Sequence, residues 1–148
     1  RQIEQEEEKR SHATEEQRRK HVTKIVSLLR GELSDGLKTL KIIRSASAIN
    51  TWTGHYPIKI ELWRAFSDGG EIQWIDDPDL LDALAAAYYH LSLHNAYQNS
   101  LLDVRSNSIF SSEVFNQAIT AIVRLINDHI NTSIDIVSAA EQSCSKTE

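Results

Sequence analysis

The chain has 148 residues, 41% of them hydrophobic and 25% charged, with a net charge of −5, one cysteine and no methionine. Such a length suits one domain able to bury roughly two-thirds of its unfolded surface, and a lone cysteine excludes an internal disulfide. The acidic balance argues against nucleic acid, which calls for a concentrated basic face, and no apolar run approaches the roughly 20 residues that cross a bilayer.

Beginning at Arg1 with no methionine anywhere, the sequence reads as a piece of a longer protein. Its charge is unevenly placed. Residues 1–20 are balanced, residues 21–50 are net basic and residues 51–148 hold the acidic excess. A basic first helix packed on an acidic remainder accounts for that distribution without an outside partner.

Residues 1–20 are almost entirely Glu, Gln, Lys and Arg. The pairs Glu6/Arg10, Glu15/Arg19 and Glu16/Lys20 place an acid four residues before a base, which supports a helix. The segment has no apolar face to bury, so it is either a solvated helical stalk or a disordered lead-in. It has no sustained apolar heptads, so it does not form a coiled coil unaided. A core helix is expected from Thr14, with Gln17 completing a capping box, to about Asn50. Val22, Val26, Leu29, Leu33, Gly36, Leu40, Ile43 and Ser47 form its stripe. Gly31 and Gly36 weaken it, and mark either a kink or, at Gly36, a close helix crossing.

Residues 51–79 hold all three tryptophans (Trp52, Trp63, Trp74) and both prolines. Pro57 suits the first position of a short helix over about 58–67, which Gly69 and Gly70 stop. Residues 71–75 alternate polar and apolar and are expected to lie extended over the bundle. Asp77 as N-cap with Pro78 behind it starts a helix to about Arg105. Two apolar stripes on that helix predict neighbours on both sides and a central position. A turn at Ser106–Ser108 and a cap at Ser111 or Ser112 lead into a last helix over about 112–140, antiparallel to the one before. Cys144 then reads as a solvated thiol on a frayed end.

The expected fold is thus all-α: an antiparallel bundle of three long helices plus one short connecting helix, with a charged N-terminal extension. Residues 1–20 would be the stalk or linker, 21–142 the bundle and 143–148 a flexible tail.

Few residues suggest chemistry. His90 and His94 have the four-residue spacing that lets two imidazoles share a metal, and the hairpin brings His129 near them. No carboxylate accompanies them in the zinc-protease manner, and no Glu-x-x-His pair of the di-iron bundles occurs. The three histidines are candidate ligands; the alternative is a polar margin of the helix interface. Asn95, Gln98, His129 and Ser133 interrupt apolar stripes, either as a polar layer fixing register or as the lining of a small-molecule pocket. Trp52, Trp63 and Trp74 either roof the core or form an interaction surface. Phosphate loops, dinucleotide fingerprints, nucleophile elbows and Cys-x-x-Cys pairs are absent, so neither an enzyme nor a bound cofactor is expected.

The run Leu62-Trp63-Arg64-Ala65-Phe66, then Gly70, Ile72 and Ile75, then Leu80-Leu81, Leu84, Ala87-Tyr88, Leu91 and Asn95, is similar to a widespread set of uncharacterised prokaryotic proteins. In those, a transmembrane helix precedes a charged helix, a short tryptophan-containing helix, a glycine turn and a helix carrying leucine, tyrosine and asparagine. The likeness covers about residues 15–105, and the aromatic, proline-bearing Trp52–Pro57 loop departs from it. The resemblance implies a helical domain held near a membrane by a segment absent from this chain, and it carries over no catalytic residue. The expected function is therefore a non-catalytic interaction or sensory domain of a membrane-associated protein, the alternative being a cytoplasmic location. A protein partner or self-association is expected, with a monomer or weak dimer held by complementary charge. The rival function is a helical ligand- or metal-binding domain using His90, His94 and His129.

Overall fold

The computed structural model describes residues 1–48, 54–107 and 111–147. It is an all-α bundle of helices α1 (Gln2–Ala48), α2 (Glu61–Asp68), α3 (Pro78–Ser106) and α4 (Ser112–Thr147), with one 3-10 turn at Glu71–Trp74. The described residues contain no strand.

α1 is longer than expected. It starts at Gln2 rather than Thr14, and Thr14 is not a cap: its hydroxyl donates back to the Arg10 carbonyl at 2.8 Å. Strong helix formers and the pairs Glu15–Arg19 (3.5 Å) and Glu16–Lys20 (3.1 Å) carry the helix through. Nothing covers residues 1–17, which are exposed throughout. From Val22 onward the stripe engages, with Val26, Leu29, Leu33, Leu40 and Ile43 fully buried. Gly36 marks a close crossing: a Cβ there would meet the two methyl carbons of Leu91 at 3.0 and 3.2 Å. Gly31 meets nothing within 4 Å and α1 runs on through it. The expected end of this helix, together with Trp52, lies outside the described residues.

α3 begins as its sequence dictates. The Asp77 carboxylate accepts from the N–H groups of Asp79 and Leu80 at 3.0 and 3.1 Å, with Pro78 in the first helical turn. α4 follows antiparallel, and its start is held by the Ser111 hydroxyl, which accepts from the Val114 N–H at 3.3 Å. The helix does not end near 140. It continues to Thr147, and Cys144 is fully buried rather than a tail thiol, because Val137, Ala140 and Cys144 extend the buried stripe at helical spacing.

α4, not α3, is the central helix. It packs along both α1 and α3, whose own backbones meet sparingly. α1 and α3 run in the same direction, as Arg18–Asp76 at one level and Gly36–Leu91 further along show, and α4 runs against both. The second apolar face of α3 is real, but its neighbours are a strap over residues 54–60 and the short α2.

That strap replaces the expected start of the short helix. Pro57 lies in irregular backbone and α2 begins only at Glu61. Ile58 and Ile60 alternate with exposed Pro57 and Lys59, the two isoleucines buried at 4% and 6% exposure. After α2, Gly70 adopts the left-handed conformation (φ 75°) that lets the chain turn back. Residues 71–74 then wind into a 3-10 turn instead of lying extended.

Candidate functional site

Polar side chains of the core serve first to hold the strap. Asn95 and Gln98 stand three apart on α3, and the two residues they bind stand two apart on the strap. The Gln98 amide accepts from the Tyr56 N–H at 2.6 Å and donates to its carbonyl at 2.7 Å. The Asn95 amide does the same for Ile58, at 2.9 and 2.8 Å. One face of an extended segment presents N–H and C=O groups at every second residue, so the two amides pair with it as a neighbouring strand would. Glu32 continues the same work from α1. Ile60, at the N-cap of α2, has no side chain able to cap it. The buried Glu32 carboxylate takes that role, accepting from Leu62 N–H at 2.9 Å and Trp63 N–H at 3.3 Å.

The indole of Trp63 lies flat on Tyr88, ring centroids 4.7 Å apart and planes 9° apart. Burial first, and the nearby Glu32 carboxylate second, push the pKa of the Tyr88 hydroxyl up.

His90 and His94 do meet α4, at a hydroxyl. Ser133 Oγ lies 2.8 Å from His90 Nδ1 and 2.9 Å from His94 Nε2, and 3.0 Å from the His129 carbonyl. A hydroxyl has one proton, so Ser133 donates to one of these three groups, and an imidazole nitrogen that it does not donate to can donate to it. His94 Nδ1 is buried and has no hydrogen-bond partner among the described residues. Burial lowers the His94 pKa to about 4, with His90 and His129 adding to the shift; burial, then His129, also lowers His90. The His129 ring stacks on Tyr97 at 6.4 Å. The three histidines thus gather at one level, but no group of three His, Cys, Asp or Glu side chains suited to a metal ion exists among the described residues. Ser133 is itself fully buried, out of reach of a substrate.

Trp74 lies apart from Trp63. It is 44% exposed, packs against the His21 ring at 4.8 Å, and borders an open groove of about 560 Å³ with Thr14, Gln17, Arg18 and His21. Arg18 is paired with Asp76 at 2.7 Å and His21 faces Glu71 at 3.3 Å.

A further feature escaped sequence reasoning. From residue 83 to residue 102, α3 carries no Asp, Glu, Lys or Arg. At 3.6 residues per turn, His90, Leu93 and Tyr97 occupy one flank of its contact with α4. On α4 the matching flank carries Leu125, His129 and Ile136, and the Tyr97–His129 stack joins the two rows. α1 sits on the other side, reaching α4 through Asn127 and Asn131. Among the described residues the two flanks form one surface across the hairpin, free of formal charge on α3 over residues 83–102 and with exposed Asp128 one helical turn from Leu125 on α4. Tyr89 at its edge is 64% exposed and Leu125 43%, while Asp82, Asp128 and Asp135 lie at its margins. The signal was available as the charge-free run itself, masked by its helical periodicity, which reads as core.

No helix among the described residues is long and apolar enough to cross a membrane. Compared with protein-family models, curated proteins and solved structures, the chain matches none.

Proposed function

We infer that this chain is a non-catalytic helical interaction domain, carried on a charged helical stalk, of a membrane-associated protein. The observation that carries the reading is the charge-free run of α3 over residues 83–102, with Tyr89 64% exposed on it, in a chain that is one-quarter charged. Depletion of charge at the centre with enrichment in aromatic residues such as Tyr is the compositional mark of an interface, and acidic residues around it supply a polar rim. The groups with catalytic potential are engaged otherwise: Ser133 is enclosed between two imidazoles, and Glu32 holds the α2 backbone. The competing reading, a metal site on His90, His94 and His129, needs nitrogens converging on a shared open point; two of them converge on a hydroxyl instead. Membrane association rests on the solvated helix over residues 2–17, which would hold the bundle away from its attachment point by about 25 Å at 1.5 Å per residue.

The reading is tested by replacing Tyr89 with a photo-crosslinking amino acid in the cells that make the protein. Adducts at position 89 and none at exposed position 42 on α1 are expected; no adduct at 89 overturns the reading. Metal analysis of protein purified without a histidine tag tests the rival. Stoichiometric zinc or iron that disappears in His94→Ala would favour it.

A further inference from the structure

We propose that the cluster of His90, His94 and Ser133 is a proton-operated latch, closed while its imidazoles are neutral and opening the α3–α4 seam at this level when the surroundings turn mildly acidic. The latch is independent of what the surface beside it binds.

The closed site suits a neutral imidazole and not an imidazolium. His94 has no solvent exposure, its Nε2 lies 2.9 Å from Ser133 Oγ, and its Nδ1 has no hydrogen-bond partner among the described residues. A neutral ring leaves one nitrogen as a lone pair, which Nδ1 can be, whereas a protonated ring carries N–H on both nitrogens. Protonation therefore creates a buried N–H without an acceptor and a charge without water. The charges that act on His94 are those of His90 and His129, and both oppose a further proton. α3 itself has no Asp, Glu, Lys or Arg from residue 83 to residue 102. On the neighbouring elements Asp128 and Asp135 of α4, Arg44 of α1, and His55 and Lys59 of the strap are all exposed. No group of three side chains suited to a metal ion exists among the described residues, so the proton is the ligand for which the cluster is built.

Opening gives both nitrogens of His94 access to water and separates the imidazoles. The fold permits it, because α4 packs along both α1 and α3 while the backbones of α1 and α3 meet sparingly. α3 can therefore draw away from α4 with α1 and α4 still packed. Tyr97, edge-on to His94 at 5.6 Å and stacked on His129 at 6.4 Å, spans the same level and parts with them. Burial holds the closed His94 at a pKa of about 4, against the ordinary 6.5 of a solvated ring. The open form thus binds the proton first, and acid favours it. Between pH 7 and pH 5 the ratio of open to closed rises about twentyfold from His94 alone. His90, lowered by burial and then by His129, adds to the response.

Amide hydrogen exchange of the full chain at pH 7 and pH 5, each corrected for the intrinsic exchange rate, tests the proposal. A helical segment stripped of its packing frays, so protection over residues 88–97 is expected to fall at least tenfold at pH 5. Protection over residues 25–43 of α1 is expected to hold. His94→Gln keeps a group able to bond Ser133 and does not titrate in this range, so it is expected to lose most of the response. Should that variant fail to fold, the proton resonances of the wild-type His94 ring decide. They are expected to remain those of a neutral imidazole until protection over residues 88–97 falls. Protection that is equal at the two pH values, a fall that persists in His94→Gln, a loss spread equally over α1, or a His94 ring that titrates near pH 6.5 with protection unchanged overturns the proposal.

Discussion

His94 is a neutral imidazole without solvent exposure, with one nitrogen bonded to Ser133 and the other without a partner among the described residues. Its pKa is lowered to about 4 from an ordinary 6.5. The unfolded chain therefore takes up a proton near pH 6.5 and the folded chain only near pH 4. Stability is unaffected by this group above pH 6.5 and falls as the pH drops through that window. The full loss is about 3 kcal/mol, at roughly 1.4 kcal/mol per pKa unit. Urea denaturation of the wild type at pH 7 and pH 4.5 should show the fall, and His94→Leu should flatten most of it. Glu32 makes a second residue-level test, because it caps a helix that has no cap of its own. Glu32→Ala leaves the Leu62 and Trp63 N–H groups without an acceptor and should cost about 1–3 kcal/mol. Glu32→Gln keeps one acceptor oxygen and should cost less. No loss in Glu32→Ala on thermal denaturation would mean that the cap contributes nothing.

At the scale of elements, two glycines in one helix make opposite predictions. Gly31 faces open solvent, so Gly31→Ala should stabilise α1 by about 1 kcal/mol through backbone entropy alone. Gly36 lies against Leu91 and Ile58, so Gly36→Val should overpack the crossing and cost about 1–3 kcal/mol. Melting temperatures of the two variants should move in opposite directions. The sequence made the crossing at Gly36 legible because the glycine interrupts an apolar stripe. It likewise fixed α3, where Asp77 and Pro78 act through bonds two and three residues away. The strap was not legible, since its partners, Asn95 and Gln98, lie far along the chain and bind main-chain atoms, which leave no trace in side-chain type. By sequence alone those two amides suit a register layer or a pocket lining, and their work is to hold Tyr56 and Ile58. The histidine cluster was half legible: spacing placed His90 and His94 together, but only Ser133, a small residue in an apolar stripe, determined what they face. A serine-rich end hides Cys144 by resembling a frayed terminus, while the spacing from Val137 through Ala140 sets it inward.

For the whole molecule, the position of charge decides how the chain can meet a partner. The basic stretch of α1 and the acidic remainder suggested a contact held by complementary charge. Such a contact would weaken with salt, because exposed pairs are screened over a Debye length of about 8 Å at physiological ionic strength. The α3–α4 surface leads to a different dependence. Its α3 run has no charge to screen, and its charges are the acids Asp82, Asp128 and Asp135 at its margins. Raising sodium chloride from low to molar concentration in a lysate should therefore leave most of the adduct at position 89 in place. Residues 1–17 are exposed and lie outside the α3–α4 surface. A chain beginning at Thr14 should give the same adduct and the same salt response as the full chain. Loss of the adduct at high salt would place the contact on the charged helix surfaces, and its loss on truncation would place it in the stalk.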